Sequence, residues 1–433
     1  MTDSTHLPAE SSESAAPQAG VDAVRADEAV SMNEQAPAVL DQDPDTVELR
    51  ADRAVHGGVA IARLEGRIVL LSGAAIGETV KARLDKSAHP WRAETIEVLE
   101  PSADRRPHIW DSAAGGIELG YLTPKASRSW KTDVLRDAIN HLGGDLADHL
   151  ASREISPEVE SVGGDGLGTR IRLDLDVDAE GRLAMHAPGS DELVPVTHMP
   201  LAVDAINDIL ANQDRWAGCY QPGDRVRLLA PTGQGPVVAV GKKVYKDPHT
   251  PTSNRVIERA LGYTWKVAAT GFWQTHIKAP LVLIPAVLGG VKLRREDRIA
   301  EFYGGAGLLT APLQARGAAV RMWEGSAQAV RDAKDNVPDA EIHHANITPR
   351  QLAEGARGAN VIVADPPRTG LRVAGAKALA NSKAEAIALI SCDPAAMARD
   401  VSAMVGAGRR VISIRAYDLF PYTQHLEAVT VLA

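Results

Sequence analysis

Two cysteines serve 433 residues, and one of them, Cys392, stands where a thiol could do chemistry. The apolar run Ala386 to Ile390 ends at Ser391-Cys392, and Asp393-Pro394 then opens a segment with apolar residues at Met397, Val401, Met404 and Val405. This pattern reads as a strand, a thiol and a helix. Asp393 suits the N-cap, and Pro394 suits the first helical position, where its missing N–H is not needed. The positive end of the helix dipole would favour a thiolate at Cys392. A nucleophile is one reading of this residue, and a buried structural cysteine is the other.

Neighbouring strand ends carry further candidates. Arg298 to Tyr303 reads as a strand running into Gly304-Gly305-Ala306-Gly307, followed by a helix over Leu308 to Arg316. Ala318 to Glu324 is a second strand, ending in an acid some twenty residues beyond the glycines. Glycines let the backbone approach a ligand, and a carboxylate at the next strand end accepts the ribose hydroxyls of a nucleoside. The turn lacks the third glycine and the helix register of a dinucleotide fingerprint. Val361 to Ala364 is a third strand, ending at Asp365-Pro366-Pro367-Arg368, where two prolines fix the backbone and present Asp365 at the sheet edge. With Glu324 and the glycine turn in register, an S-adenosylmethionine methyltransferase site is the favoured expectation.

The elements that position these residues follow from the same patterns. From about Gly271 the chain alternates strand and helix, with a fourth strand at Ala386 to Ile390 and two more after Gly406. This predicts an α/β, Rossmann-like doubly wound domain over 271–433, with ligands outside the carboxyl ends of its strands. Thr46 to Glu100 holds five short alternating runs separated by glycine turns, which predicts a small β-barrel over 45–101. Residues 102–270 mix a strand at Thr169 to Val177 with helical spacing at Leu201 to Leu210, an α+β middle domain. Residues 1–44 are rich in Ala, Ser, Pro, Glu and Asp and lack aromatics, the composition of a disordered acidic tail. Ten acids and one base in residues 1–45 account for the whole net charge of −9, so the remainder is neutral and the acidity does not argue against a nucleic-acid partner. No apolar run approaches the ~18 residues of a membrane span, and two cysteines make no disulfide framework, so a cytoplasmic protein is expected.

Asp-Pro-Pro-Arg at 365–368, Ser-Cys-Asp-Pro-Ala-Ala-Met-Ala-Arg-Asp at 391–400, and Asp418-Leu419-Phe420-Pro421-Tyr422-Thr423-Gln424-His425-Leu426-Glu427 together resemble the successive motifs of the RNA uracil-5-methyltransferases. Phe272-Trp273-Gln274 matches a further motif, and His56-Gly57-Gly58 through Gly77-Glu78 is similar to the oligonucleotide-binding-type TRAM module attached to RNA-modifying enzymes. The resemblance implies a monomer acting on tRNA or ribosomal RNA, making 5-methyluridine with S-adenosylmethionine as methyl donor. It implies Cys392 as the thiolate that adds to carbon 6 of the target uracil, Glu427 as the base that removes the carbon-5 proton, and Asp365 in contact with both donor and base. Gln274, Tyr303, Glu324 and Asn346 match cofactor-contacting positions, with Gly305 and Gly307 giving backbone room.

Several positions depart from the family pattern. Many members hold an iron–sulfur cluster through a Cys-x5-Cys-Gly-Gly-Cys run and a later Cys-Pro. Here His108, Ala114 and Ile117 stand at the first three positions and Met199-Pro200 at the last, so no such cluster is expected. Leu308 replaces an Asn at the end of the glycine turn, and His276 replaces another after Gln274. The remaining polar features have ordinary readings: His425 fixing a turn, His343-His344 a solvated pair and no metal site, Cys219 structural, and the lysines around Tyr245 a solvated loop. Two other activities fit parts of the pattern: an amino-group methyltransferase using Asp-Pro-Pro-Arg alone, and a catalytically idle RNA-binding protein.

Overall fold

The structure, a computed structural model, describes residues 45–433; the acidic segment 1–44 lies outside the described residues. The first alternating runs form six strands: β1 (Thr46–Arg50), β2 (Arg53–Val55), β3 (Val59–Leu64), β4 (Arg67–Ser72), β5 (Thr79–Asp85) and β6 (Trp91–Glu100). They make one sheet in the order β1-β5-β6-β4-β3-β2. β2, at three residues, is too short to show a period of two, which is why five strands and not six are legible. Along β5, Val80, Ala82 and Leu84 are buried while Arg83 and Asp85 are exposed, the alternation of a half-buried strand. That inner face packs on Leu119, Tyr121, Leu122 and Trp130.

Two helices follow, α1 (Pro124–Leu142), capped by Thr123, and α2 (Leu146–Ala151), then the two-residue strand β7 (Val159–Glu160). A second sheet is built from β8 (Arg172–Val177), β9 (Leu183–His186), β10 (Leu193–Pro195), β11 (Arg225–Leu229), β12 (Val237–Val240), β13 (Lys243–Asp247) and β14 (Thr250–Pro251), in the order β10-β9-β8-β11-β12-β13-β14. Helix α3 (Asp204–Ala211) packs on it through Ile206, Ile209 and Leu210. The lysine-rich run, expected as a loop, is the turn and strand of the β12–β13 hairpin. A separate hairpin joins β15 (Arg255–Ala260) to β16 (Tyr263–Ala268).

The last block alternates as expected: α4 (Ala279–Gly290), β17 (Arg298–Phe302), α5 (Thr310–Gln314), β18 (Ala319–Glu324), α6 (Ala327–Asn336), β19 (Glu341–His344), α7 (Pro349–Gly355), β20 (Val361–Ala364), α8 (Arg372–Ala380), β21 (Ala386–Ser391), α9 (Pro394–Gly406), β22 (Val411–Tyr417) and β23 (Glu427–Leu432). The sheet order is β19-β18-β17-β20-β21-β23-β22-β7, parallel from β19 to β21 and antiparallel where β23 enters. Every residue of β20, a continuous apolar run, and of β23, which also carries Glu427 and Thr430, is buried, so both strands are covered on both faces. α5 is shorter than the helix expected over 308–316. Pro312 has no N–H to bond back one turn, and Gly317 at φ +87° ends the segment. α1 and α2 pack on α9, and β7 pairs with β22 at the sheet's far edge, so part of the segment before residue 160 belongs to this layer.

Candidate active site

The chain runs from β17 outward to β18 and β19, then returns to the other side of β17 as β20. Such a reversal opens a crevice at the carboxyl ends of the strands. A cavity of about 1320 Å³ lies there, lined by residues from the ends of β17, β18, β20 and β21 and by the start of β23. It exceeds the ~300–1,000 Å³ that encloses one small ligand. Gln274, Tyr303, Gly305, Glu324, Asn346, Asp365, Cys392 and Glu427 all line it. Gly307 does not: its carbonyl accepts from Trp265 Nε1 at 2.9 Å, and a Cβ there would press on Val337 at 3.1 Å, so this glycine serves close packing.

The glycine turn is held from below. Gly305 has φ +57° and open space where a Cβ would stand, and its N–H donates to Glu324 Oε2 at 2.9 Å. Ser326 N–H donates to the other Glu324 oxygen at 2.7 Å, fixing the carboxylate at the strand end. Tyr303 sits at φ +63°, a backbone region costly for a non-glycine residue, and donates its N–H to the Trp323 carbonyl at 2.8 Å. An open turn and an anchored carboxylate one strand over suit a nucleoside-bearing cofactor, and the buried amide of Gln274 lines the same cavity.

Asp393 caps α9 as expected, its Oδ1 accepting from Ala396 N–H at 2.7 Å, and Cys392 stands between strand and helix. The antiparallel register sets Ser391 opposite Ala428, so Cys392 and Glu427 face one another across the β21–β23 pair. β20 beside β21 brings Asp365 to the same end. The electrostatics differ from the expectation of a ready thiolate. Burial, then the Glu427 and Asp365 carboxylates, push the Cys392 thiol up to about 12, against a smaller pull from Arg368. The helix end does not outweigh desolvation beside two carboxylates. Burial and Glu324 raise Asp365 to about 7, and burial and Asp365 raise Glu427 well above the usual range.

Among the buried charged residues not singled out from the sequence, Lys131 and Glu301 stand out. Lys131 on α1 is wholly enclosed and donates to Asp418 Oδ1 at 2.6 Å and to the Phe420 carbonyl at 2.7 Å, tying the loop before Glu427 to the helix. Nothing local marks it, because its partner lies 287 residues away. Glu301, inside β17, accepts from Thr310 Oγ1 at 2.6 Å, and burial raises its carboxyl to about 8. An acid within Ile299-Ala300-Glu301-Phe302 was the available signal.

The departures take definite places. Ala114, Ile117 and Met199 belong to one apolar cluster with Trp110, and the His108 ring lies between the Trp110 and Ile117 carbonyls at 2.7 and 3.1 Å. This set supplies no thiolate and does not fit an iron–sulfur cluster. His276 is buried, its ring lowered to about 4 by burial, and Nδ1 accepts from Lys278 N–H at 3.0 Å. His425 approaches Arg368 at 3.3 Å and meets Phe420 edge-on. His343 stacks on Trp323 with centroids 4.7 Å apart, so the histidine pair is not simply solvated. The Cys219 thiol donates to the Pro248 carbonyl at 3.2 Å.

A doubly wound sheet with this turn, this carboxylate and this crevice defines an S-adenosylmethionine-dependent methyltransferase. Residues 356–433 match the family model described as tRNA (uracil-5-)-methyltransferase. An uncharacterised RNA methyltransferase of Streptomyces coelicolor is 30% identical over 429 residues, covering 89% of this chain and 92% of its own length. The 23S rRNA (uracil(1939)-C(5))-methyltransferase of Chromohalobacter salexigens is 27% identical over 432 residues, covering 89% and 88%. The chain belongs to the RNA (uracil-5-)-methyltransferase family. The fold is similar to that of the Pyrococcus abyssi tRNA (uracil-54, C5)-methyltransferase, solved with S-adenosyl-L-homocysteine, at a TM-score of 0.67 and 19% identity over 89% of this chain and all of that one.

Proposed function

We propose that the protein methylates carbon 5 of a uridine in tRNA or ribosomal RNA through a covalent adduct at Cys392. The observation that carries this reading is the β21–β23 register, which puts Cys392 and Glu427 together in one cavity with Asp365. Carbon 5 of uracil is a poor nucleophile, and a thiolate adding to carbon 6 turns the ring into an enolate. The methyl donor, when bound, supplies an electrophilic sulfonium methyl group. Sulfur adds to carbon 6 as the thiol proton passes to Asp365, leaving Glu427 ionised, and carbon 5 takes the methyl while the electrons of the broken S–CH3 bond stay on the donor sulfur as a neutral thioether. Glu427 then removes the carbon-5 proton, the C6–S bond breaks, and its electrons return to sulfur. Asp365, whose carboxyl burial and Glu324 raise, holds that proton, donates a hydrogen bond to the ring oxygen on which the enolate charge gathers, and returns the proton to sulfur as the C6–S bond breaks.

Gln274, Tyr303, Glu324 and Asn346, with Gly305, are proposed to hold the donor. The target must leave its stack to reach this depth. The six-stranded sheet of residues 45–100 is proposed as the TRAM-like RNA-contacting module, in a cytoplasmic protein acting as a monomer. Nucleoside mapping of RNA from cells with and without the gene tests the reading: 5-methyluridine should disappear at one position. Unchanged 5-methyluridine at every position contradicts it. Retained activity in Cys392→Ala would favour an amino-group methyltransferase instead.

A further inference from the structure

The cavity has a wall that neither the donor site nor the Cys392–Glu427 pair uses. Glu118 and Arg170 line it, from segments outside the eight-stranded sheet. Glu118 Oε2 and Arg170 Nε are enclosed without a hydrogen-bond partner, and neither side chain makes an ion pair among the described residues. Arg170 feels the Asp174 carboxylate first and Glu118 second, and Glu118 also acts on Lys131, yet no ion pair joins Glu118 or Arg170 to any of these groups. Both side chains are half-buried at the cavity wall, each with one enclosed polar atom unpaired, a cost that a partner entering the cavity would relieve.

Both residues are held rigidly. A Cβ on Gly58 would come within 3.0 Å of Glu118 Cβ, and the next residue, Leu119, donates its N–H to the Tyr422 carbonyl at 2.8 Å. Arg170 N–H donates to the Leu201 carbonyl at 2.7 Å, and the Arg170 carbonyl accepts from Val203 N–H at 3.0 Å. The Glu118 segment is therefore tied to the loop that leads into Glu427.

We infer that Glu118 and Arg170 form a second nucleobase subsite that reads a guanine near the target uridine. A phosphate would suit Arg170 alone and would be repelled by Glu118. A carboxylate accepts two parallel N–H groups, and guanine offers such a pair at N1 and N2, with its O6 acceptor adjacent for the guanidinium. Splayed single-stranded bases are read in this way in RNA. The inference rests on the uridine-methylation reading and names what selects the RNA.

The test uses the full-length protein and an RNA oligonucleotide spanning the mapped uridine, with each guanine replaced in turn by inosine, which lacks the N2 amino group. Once the uridine is mapped, binding is scored without methyl donor, so a failure of guanine reading is distinguished from a failure of methylation, which the nucleoside map reports. One inosine position should weaken wild-type binding about 10-fold. Glu118→Gln should bind the guanine and inosine forms equally, and Arg170→Met should lower affinity for both, while S-adenosylmethionine binding by calorimetry stays unchanged in both variants. The inference is overturned if no guanine position matters to the wild type, if Glu118→Gln keeps the inosine penalty, or if the variants also lose the donor.

Discussion

The resting state of Cys392 gives a prediction that can be worked through. Burial and the neighbouring carboxylates lift its thiol from an ordinary 9.0 to about 12. At pH 8 about one thiol in ten is ionised at the ordinary value and about one in ten thousand at the raised value. The more basic thiolate is also the better nucleophile, with a Brønsted slope of ~0.4–0.5 that restores about 15–30-fold over three units. The net expectation is alkylation roughly 30–60-fold slower than that of a free thiol of ordinary pKa. Iodoacetamide labelling of the free enzyme at pH 8, followed by mass spectrometry of the Cys392 peptide against free glutathione, measures this directly. The Cys219→Ser background removes the second thiol. Arg368→Leu, which takes away the cation that opposes the shift, should slow labelling further. Labelling of Cys392 as fast as glutathione, or faster, would refute the electrostatic account and restore the simple helix-end thiolate.

Other expectations follow from the buried charges. Glu301 is raised in the folded state, so its contribution is fully present below about pH 4.5 and is lost as pH rises through about 8. Stability to urea should therefore fall across that window, by on the order of 4–5 kcal/mol, and Glu301→Gln should flatten the curve. Lys131→Met leaves Asp418 buried and unpaired and should cost about 3–5 kcal/mol in the same assay, with part recovered in the Lys131→Met, Asp418→Asn double variant. The Asp365–Glu427 pair titrates upward of the usual carboxylate range, so kcat/KM should rise with pH above that range as the base Glu427 ionises. Asp365→Asn should move that limb lower, because it removes the charge that raises Glu427, and an unmoved limb would count against the coupling.

What was legible in the sequence was mostly local. Asp393-Pro394 announced α9 and its cap, and the glycine turn, Glu324 and Asp365 were readable because each ends an apolar run. The pairing of β23 against β21 is long-range, and only the family resemblance of the 418–427 stretch pointed to Glu427. The misjudged charge state of Cys392 has the same origin. A helix end is visible in sequence, whereas two carboxylates brought in from other strands and the depth of burial are not. Lys131 on an amphipathic helix reads as solvated until Asp418 arrives beside it. The two-residue β7, joining a sheet otherwise made after residue 297, has no periodicity to read.

The covalent role of Cys392 is tested most directly by trapping. RNA carrying 5-fluorouridine at the target position lets sulfur add and methyl transfer proceed, but fluorine cannot be removed as a proton, so the adduct should persist. With S-adenosylmethionine present, the wild-type protein should show a denaturant-stable protein–RNA species whose cross-linked peptide contains Cys392, and Cys392→Ala should show none. An enzyme that methylates ordinary RNA yet gives no such species with the fluorinated RNA would contradict the thiolate route.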